Sequence, residues 1–330
     1  MPKVVRFHEL GGPEVLKIEE TATPQPGKGE VRLKVQAVGL NRAEAMFFHG
    51  NYLEQPKLPS LLGYEAAGVV EAVGPDVDRD WIGKQAAVVP SFSMNSYGLL
   101  AEEAVVPALA LGEYPAKLSA TEGAATWMQY LTAYGALIEI AQIRKDDFVL
   151  ITAASSSVGL AAIQMVKAEG AVPITTTRTS VKKAELEALG ADHVIATEEE
   201  DLVARVKEIT GGKGARVIFD PVAGPFVEKL AEAAAQSGIL IEYGSLSLAP
   251  TPLPLFTMFG NRMVIRAYTL FEITGDLAKL KDAKEYVYER LEDGRFQPKI
   301  AKTFPFAQTV EAYRYLESNA QVGKVVITVP

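Results

Sequence analysis

The sequence contains no cysteine, and its 330 residues include only three histidines: His8, His49 and His193. The absence of cysteine excludes disulfide bonds, thiolate metal sites, iron–sulfur clusters and a cysteine nucleophile. Three scattered histidines do not predict a metal site built of imidazole alone. We therefore expect no metal site in this protein.

The balance of charge and the hydropathy pattern limit the partners of the protein. Lys and Arg total 33 against 41 Asp and Glu, which gives a formal net charge of −8. A chain of this charge is not expected to bind nucleic acid or an anionic membrane surface as its main partner. No apolar run approaches the roughly 18–20 residues that span a bilayer, and residues 1–12 read as a short charged strand rather than a signal peptide. We expect a cytoplasmic protein that acts on a small molecule.

The length predicts about two domains, and the sequence changes character near residue 121. Before that point, short runs of alternating or apolar residues separated by Gly and Pro predict a β-rich barrel or sandwich-like unit. The predicted strands are 31–38, 66–74, 86–90 and 104–107.

After residue 121, helical and strand-like segments alternate. Residues 122–143 have helical spacing, and the segments that follow predict a doubly wound parallel sheet, an α/β fold with its ligand at the carboxyl ends of the strands. The predicted strands are 147–152, 171–175, 193–195, 216–220 and 238–244, and the predicted helices between them are 159–169, 181–189, 201–210 and 226–236. Helices at 277–294 and 307–318 precede an apolar strand at 324–329, which must pair into a sheet.

The sharpest local feature is the loop 152–159, between a predicted buried strand and a helix. Ala153, Ser156 and Gly159 are small residues, which a dinucleotide needs where the backbone approaches its pyrophosphate at a helix N-terminus. The alternative is a tight turn that binds nothing. The residues predicted to surround the pyrophosphate are Ser155, Ser156, Ser157, Val158 and Gly159.

The end of the second strand of the parallel sheet favours NADP over NAD. NAD sites usually carry an acidic residue there, whereas this chain has no carboxylate between Thr175 and Glu185. Hydroxyls and cations are suitable partners for a 2′-phosphate, and the candidates are Thr177, Arg178, Ser180 and Lys182. The alternative is a solvated helix start that is basic by chance. The acidic run 198–201 is interpreted as another solvated helix start.

Four segments, in the expected order, resemble those of the zinc-free medium-chain dehydrogenases/reductases of the NADPH:quinone oxidoreductase type. Residues 39–44 with 50–52 resemble G-L-N-x-x-D…G-x-Y, and residues 62–68 resemble L-G-x-E-x-A/S-G. Residues 153–159 resemble A-A-x-G-G-V-G, and 323–326 resemble the closing G-K-h-V. The similarity covers nearly the whole chain.

The chain also departs from the family pattern. Two adjacent glycines of the phosphate loop are replaced by Ser156 and Ser157, and the aspartate after the Asn motif is Glu44. The positions that hold catalytic zinc in the metal-dependent relatives correspond to Asn41, Tyr64 and about Met128, which do not form a plausible zinc ligand set.

The resemblance implies a GroES-like catalytic domain in 1–123, a Rossmann NADP-binding domain in 124–268, and a return to the catalytic domain in 269–330. It also implies a homodimer, formed by extension of the cofactor-domain sheet around residues 253–265.

The resemblance implies specific roles for residues around a nicotinamide and an electron acceptor. Asn41 would face the nicotinamide and the acceptor oxygen, and Tyr52 or Tyr64 would donate a proton or hydrogen bond. Thr132 would lie beside the nicotinamide, and Lys324 would reach the cofactor. The remaining candidates, for the ribose, nicotinamide and carboxamide, are Tyr243, Gly244, Ser245, Ala267, Tyr268 and Thr269. Packing of the tyrosines, a turn cap at Asn41 and a surface charge at Lys324 are the structural alternatives.

Hydride transfer without a metal requires an acceptor that is already electron-poor, such as a quinone or an α,β-unsaturated carbonyl. The sequence therefore predicts an NADPH-dependent, zinc-independent reductase of such acceptors. The alternatives are an enoyl-thioester reductase and a cofactor-binding protein with little turnover.

Overall fold

The computed structural model describes all residues from Met1 to Pro330, and they divide into two compact units. The first unit comprises Met1–Met128 and Lys284–Pro330, and the second comprises Gln129–Ala283. No helix in either unit is both long and apolar enough to cross a bilayer.

The first unit begins with the β-rich segment that the alternating pattern predicted. In the longest strand, Leu33 and Val35 are fully buried whereas Lys34 between them is exposed, because successive side chains of a strand point to opposite faces. The strands are β1 (Lys3–Arg6), β2 (Lys17–Glu20), β3 (Glu30–Gly39), β4 (Glu65–Val73), β5 (Gln85–Val88), β6 (Glu103–Pro107) and β7 (Leu111–Gly112), and the helices are α1 (Arg42–Phe48) and α2 (Ala120–Gly123).

The second unit contains the predicted parallel sheet. Its six strands lie in the order β10-β9-β8-β11-β12-β13, and every neighbouring pair is parallel. This confirms the doubly wound α/β fold. The strands are β8 (Phe148–Ile151), β9 (Val172–Thr177), β10 (His193–Ala196), β11 (Ala215–Asp220), β12 (Ala234–Glu242) and β13 (Val264–Ala267). The helices are α3 (Trp127–Tyr134), which begins in the first unit, α4 (Ser157–Ala168), α5 (Lys183–Ala188), α6 (Leu202–Ile209), α7 (Phe226–Ala233), α8 (Leu255–Asn261) and α9 (Phe271–Thr274).

The central strands of this sheet are buried on both faces, and this burial holds their carboxyl ends in place. Leu150 in β8, Ile174 in β9, Ile218 in β11 and Leu240 in β12 are fully buried in one hydrophobic core. A close-packed core leaves the backbone little freedom, so the loops that leave the carboxyl ends of these strands start from fixed positions.

The C-terminal segment completes the sheet of the first unit. It contains α10 (Leu277–Glu292), β14 (Ile300–Pro305), α11 (Thr309–Glu317) and β15 (Lys324–Thr328). Strand β15 lies antiparallel to β3, with Val326 opposite Gly39, and the sheet order is β14-β15-β3-β4-β5-β7, with β6 on β3. The amide of Leu40 donates to the Val325 carbonyl at 2.9 Å, so the start of β15 lies beside the residues that follow β3.

Two predicted helices differ from the observed elements. Residues 122–143 do not form one helix: α2 ends at Gly123, α3 ends at Tyr134, and a π-helix follows at Gly135–Ile140. At that junction a Cβ on Gly135 would lie 2.0 Å from the hydroxyl oxygen of Tyr268, so glycine leaves room for this ring. The helix predicted at 226–236 ends at Ala233, and β12 begins at the next residue, Ala234.

The second unit continues beyond the boundary predicted at residue 268. Tyr268 donates its hydroxyl to the Leu131 carbonyl at 3.3 Å, and Lys279 pairs with Glu139 at 2.9 Å. Residues just beyond the predicted boundary at 268 are therefore tied to the second unit, which extends to Ala283.

Candidate cofactor site and active site

Asn41 lies at the end of β3 and caps α1. Its backbone N–H donates to Glu44 Oε2 at 2.8 Å, which satisfies a free donor at the helix start. Its side-chain Nδ2 donates to the Gly39 carbonyl at 3.0 Å and to Glu44 Oε1 at 3.2 Å. These contacts account for both amide hydrogens of Asn41, so a hydrogen bond from Asn41 to an acceptor molecule would replace one of them.

Glu44 is a fully buried carboxyl that organises this corner of the first unit. Besides Asn41, it accepts hydrogen bonds from the backbone N–H of Tyr64 and from the Tyr313 hydroxyl, each at 3.0 Å. Burial raises the pKa of Glu44, while the hydrogen bonds from Asn41 and Tyr64 oppose that rise. Through these hydrogen bonds, Glu44 holds the segment at Asn41 next to the segment at Tyr64.

Lys324, the first residue of β15, forms a buried ion pair. Its Nζ lies 2.6 Å from Glu65 Oε2 and donates to Asn41 Oδ1, also at 2.6 Å. The side chains of Lys324 and Glu65 are both fully buried, and the second Glu65 oxygen accepts from the backbone N–H of Met128 at 3.0 Å. Lys324 is thus not a surface charge, and its charge is turned towards Asn41 and Glu65.

Tyr52 and Tyr64 lie in one aromatic cluster of the first unit. Their ring centroids are 6.2 Å apart, and the Tyr64 ring also packs 6.0 Å from Phe92. Burial raises the pKa of both hydroxyls, and a hydrogen bond between them adds to the rise at Tyr64 and opposes it at Tyr52. Both tyrosines therefore keep their protons at neutral pH and are able to act as donors or acids.

The phosphate loop of the second unit has the geometry that its small residues predicted. Ala153 has a left-handed backbone, with φ +46°, and Ser156 caps α4 by accepting the Gly159 N–H at 3.0 Å. A Cβ on Gly159 would lie 2.6 Å from the Ala154 carbonyl oxygen, so only glycine allows the helix to pack this closely on the loop. Ser155 lies on the loop, and Ser157 and Val158 begin the first turn of α4, where helix N–H groups are free; all three residues are partly exposed. The loop therefore fits a pyrophosphate.

The end of β9 carries cations next to this loop. Lys182 donates from Nζ to Ser155 Oγ at 3.1 Å, which brings two of the predicted residues together. Burial and the nearby charge of Arg178 lower the pKa of Lys182. Thr177 is partly exposed and Arg178 is exposed. This arrangement of donors fits an anionic group at the end of β9.

The structure also places a carboxylate where the sequence showed none. Glu199 accepts hydrogen bonds from the backbone N–H of Ser180 at 2.9 Å and from its hydroxyl at 3.2 Å. In the same run, Glu200 pairs with Lys183 and Arg205, and Asp201 caps α6 by accepting the Ala204 N–H. The run 198–201 is an exposed helix start, as interpreted, and Glu199 in addition contacts Ser180, because the loop after β10 returns to the end of β9.

The remaining predicted residues lie at the carboxyl ends of β12 and β13 and in α3. Tyr243 is half-buried, with its hydroxyl oxygen buried, and stacks on Phe219 with ring centroids 3.9 Å apart, whereas Gly244 and Ser245 are exposed. The backbone N–H groups of Tyr268 and Thr269 are occupied by the Glu242 carbonyl and the Glu272 carboxylate, and Ala267 is exposed. Thr132 is buried in α3.

Sequence reasoning did not single out several buried acidic residues. A usable signal existed for Asp220 and Glu242, since each stands at the carboxyl end of an apolar strand of the parallel sheet. Glu65 is part of the segment 62–68, but nothing in the sequence indicated that it would meet Lys324. No group of three or more acidic or histidine side chains in the fold lies close enough together to hold a metal ion.

The chain is similar over nearly its whole length to known oxidoreductases. Residues 27–151 match the family model for the alcohol dehydrogenase GroES-like domain, and residues 189–327 match that for zinc-binding dehydrogenase. Quinone oxidoreductase 1 of Escherichia coli (strain K12) is 32% identical, with 97% of each chain covered. A 2-haloacrylate reductase of Burkholderia is 27% identical, again with 97% of each covered. The crystal structure of Escherichia coli quinone oxidoreductase complexed with NADPH superposes with a TM-score of 0.92 at 31% identity, over 99% of each chain.

Proposed function

Because the chain belongs to the zinc-independent, quinone oxidoreductase-like family of medium-chain dehydrogenases/reductases, we propose that it reduces quinones or activated alkenes with NADPH. The observation that carries this proposal is the phosphate loop of the second unit, where Gly159 lets α4 approach the backbone at Ala154 and Lys182 reaches Ser155. The left-handed backbone of Ala153, which costs conformational energy, supports this assignment of the loop.

The preference for NADPH over NADH rests on the end of β9. Arg178 and Lys182 supply positive charge, and Thr177 supplies a hydroxyl close to them. Glu199 holds the donors of Ser180, so Ser180 would bind a 2′-phosphate only after exchanging this partner. We assign the 2′-phosphate primarily to Arg178 and Lys182.

When bound, NADPH supplies a hydride, and the acceptor then needs a hydrogen-bond donor and a proton. Tyr52 and Tyr64 supply protonated hydroxyls, since burial raises the pKa of both. Asn41 supplies an oriented amide, with its oxygen held by Lys324 and its nitrogen by Gly39 and Glu44. Lys324 acts through Asn41 in this assignment, as a positioning residue.

Two acceptor classes fit this chemistry, and each has a relative that supports it. The Escherichia coli relative is a quinone oxidoreductase, and the Burkholderia relative reduces a haloacrylate, an alkene conjugated to a carboxyl group. Both classes accept a hydride at an electron-poor carbon or oxygen and then a proton, so the same donors would serve either.

The test is oxidation of NADPH with a panel of quinones, enones, 2-haloacrylates and enoyl thioesters, beside a direct titration of NADPH binding. Turnover with quinones or conjugated alkenes is the expected result. Turnover restricted to enoyl thioesters would replace the proposed acceptor class. Tight binding without turnover on any acceptor would leave only a cofactor-binding protein.

We further propose that the protein is a homodimer that extends the sheet of the second unit. Strand β13 pairs only with β12, so its other edge is open. Beside it, helix α8 buries none of its residues. Leu253, Phe256, Phe259 and Val264 have exposed fractions of 63%, 89%, 66% and 53%. An open strand edge next to exposed apolar side chains favours pairing with a second copy.

A further inference from the structure

Two carboxyl groups meet at the carboxyl ends of β11 and β12, outside the machinery described so far. Asp220 ends β11 and Glu242 ends β12, and the register of the two parallel strands places these residues side by side. Asp220 is fully buried, and both carboxyl oxygens of Glu242 are buried as well. Two carboxylates this close, both removed from water, repel each other strongly unless one of them carries a proton.

The surroundings decide which of the two carries the proton. Asp220 accepts hydrogen bonds from the Thr152 hydroxyl and from the backbone N–H groups of Val222, at 3.1 Å, and Ala223, at 2.7 Å. No donor reaches either oxygen of Glu242. Three donors stabilise the charged form of Asp220 and none stabilises that of Glu242, so Glu242 is the protonated partner.

Thr152 connects this pair to the phosphate loop. It is the residue that follows β8, where the loop begins, and it binds Asp220 through its side chain. Asp220 at the same time holds the turn after β11 through Val222 and Ala223. A change in the charge or position of Asp220 would therefore change the position of Thr152, where the loop assigned above to the pyrophosphate begins.

We propose that Glu242 is a positioning residue of the cofactor site, which shares its proton with Asp220 and thereby holds the phosphate loop in its binding geometry. The proposal rests on the assignment of that loop to NADPH. Loss of the shared proton would place two adjacent negative charges at the carboxyl end of the sheet. That change would separate the pair and would oppose the binding of an anionic dinucleotide.

The pKa values set the pH range in which this happens. Burial raises the pKa of Glu242 to about 9, and the charge of Asp220 adds to the rise. The buried Tyr243 hydroxyl also faces the pair, but its pKa is raised well above that range.

The other elements packed around the pair add little charge. Arg266 of β13 is paired with Glu272 at 2.7 Å, and the charged side chains of α7 are exposed. Helix α8 has no charged residue, and the phosphate loop faces Tyr243 with Ser156.

The first experiment uses the protein without cofactor. The folded protein keeps a proton on Glu242 that the unfolded chain loses near pH 4.5, so this group lowers the free energy of unfolding as pH rises from about 4.5 to about 9. Glu242→Gln cannot ionise and keeps an N–H donor for Asp220. Its Tm relative to the unmodified protein should therefore rise steadily over that range, whereas the exposed Glu232→Gln should run parallel to the unmodified protein.

The second experiment measures the Kd of NADPH by calorimetry from about pH 7.5 to about pH 10 in the same three proteins. The unmodified protein and Glu232→Gln should lose about tenfold in affinity through pH 9, and Glu242→Gln should lose clearly less. Lys182 is present in all three proteins, so its contribution to the pH dependence of the Kd cancels when they are compared. Glu242→Leu gives a second uncharged variant: it should also flatten the pH dependence, but without a donor for Asp220 it should bind NADPH more weakly at every pH.

The two experiments separate the possible failures. If Tm depends on pH in the same way in Glu242→Gln and in the unmodified protein, Glu242 and Asp220 do not share a proton. Diverging stability curves with parallel NADPH titrations would overturn the positioning role. If the unmodified protein does not bind NADPH at pH 7.5, the proposed function fails and the positioning role with it, while the stability curves still decide whether the pair shares a proton.

Discussion

The ammonium group of Lys324 lies 2.6 Å from a carboxylate oxygen of Glu65, and neither side chain is exposed to solvent. The two residues are on β15 and β4, and strand β3 lies between those strands in the sheet. They meet near Asn41, just after the end of β3, where Gly39 provides space: a Cβ on Gly39 would lie 2.7 Å from Cε of Lys324. The C-terminal strand therefore supplies the positive charge that orients the candidate catalytic amide.

Loss of this ion pair should destabilise the first unit. Lys324→Met leaves the Glu65 carboxylate buried without its cation, and removing one partner of a buried pair costs about 3–5 kcal/mol. Urea denaturation should show this loss in the free energy of unfolding. In the control, Lys167→Met removes the partly exposed pair with Asp192, which should cost at most about 1 kcal/mol. Equal losses in the two variants would contradict the importance of the buried pair.

Removal of Arg178 should weaken NADPH much more than NADH. The guanidinium contributes a charge-assisted hydrogen bond to the 2′-phosphate, so Arg178→Ala should raise the Kd of NADPH by about 10- to 100-fold. The Kd of NADH should stay nearly constant, because NADH lacks that phosphate. Lys213→Ala, an exposed cation in the same unit, is the matched control and should affect both cofactors little. An equal loss for both cofactors in Arg178→Ala would remove the 2′-phosphate assignment.

Neutralising Glu199 should have the opposite effect. Glu199→Gln keeps an oxygen that accepts from Ser180 but removes a negative charge from the proposed phosphate position. NADPH should bind about threefold more tightly, since a surface charge at this distance acts through water. Titrations at low and high salt should show a smaller difference at high salt. The exposed neighbour Glu198, changed to Gln, serves as the control, and an unchanged ratio of NADPH to NADH affinity in Glu199→Gln would place the phosphate elsewhere.

Loss of the proton donors should reduce turnover more than cofactor binding. If Tyr52 or Tyr64 protonates the reduced acceptor, Tyr52→Phe or Tyr64→Phe should lower kcat/KM by about 100-fold, with the Kd of NADPH little changed. Burial raises the pKa of both hydroxyls, so the activity that depends on them should not fall as pH rises towards 10. Tyr97→Phe removes a hydroxyl that binds Glu30, and it is expected to leave kcat/KM unchanged. If the Tyr52 and Tyr64 variants both keep full activity, the donor is another group.

A charge on the open edge of the second unit should separate the proposed dimer. Phe256 is 89% exposed on α8, and Phe256→Glu would place a carboxylate within the apolar contact. Light scattering after size exclusion should give a dimer for the unmodified protein and a monomer for this variant. Leu109→Glu, at a position 66% exposed in the first unit, should remain dimeric. A monomeric unmodified protein would rule out the dimer.

Much of the fold could be predicted because it follows from local patterns in the sequence. The apolar strands and the βαβ alternation predicted the parallel sheet, and the glycine at 159 with the small residues of the loop predicted its phosphate turn. The helix predicted at 122–143 is broken between Gly123 and Trp127 and becomes a π-helix at Gly135, where the space beside the glycine is filled by the Tyr268 ring, more than a hundred residues away in the chain. Periodicity carries no information about such a contact.

The candidate site could be predicted only in part, because contacts between distant segments leave no local pattern in the sequence. Asn41, Tyr52 and Tyr64 were identified from the resemblance of short segments, and Lys182 with Ser155 from the chemistry of phosphate binding. The contacts between residues far apart in sequence were not predicted: Lys324 with Asn41, Glu199 with Ser180, and Asp220 with Glu242. In each case the two residues are joined by strand register or loop return rather than by spacing along the chain.

The sequence by itself determined the element types, the α/β class and the residue types available for dinucleotide chemistry, since these depend on composition and on period. Only the tertiary structure decided which charges are buried together and which donors are already occupied. Burial is what raises the pKa of Glu242 and removes Lys324 from solvent, and it arises when segments far apart in sequence close around the same few atoms.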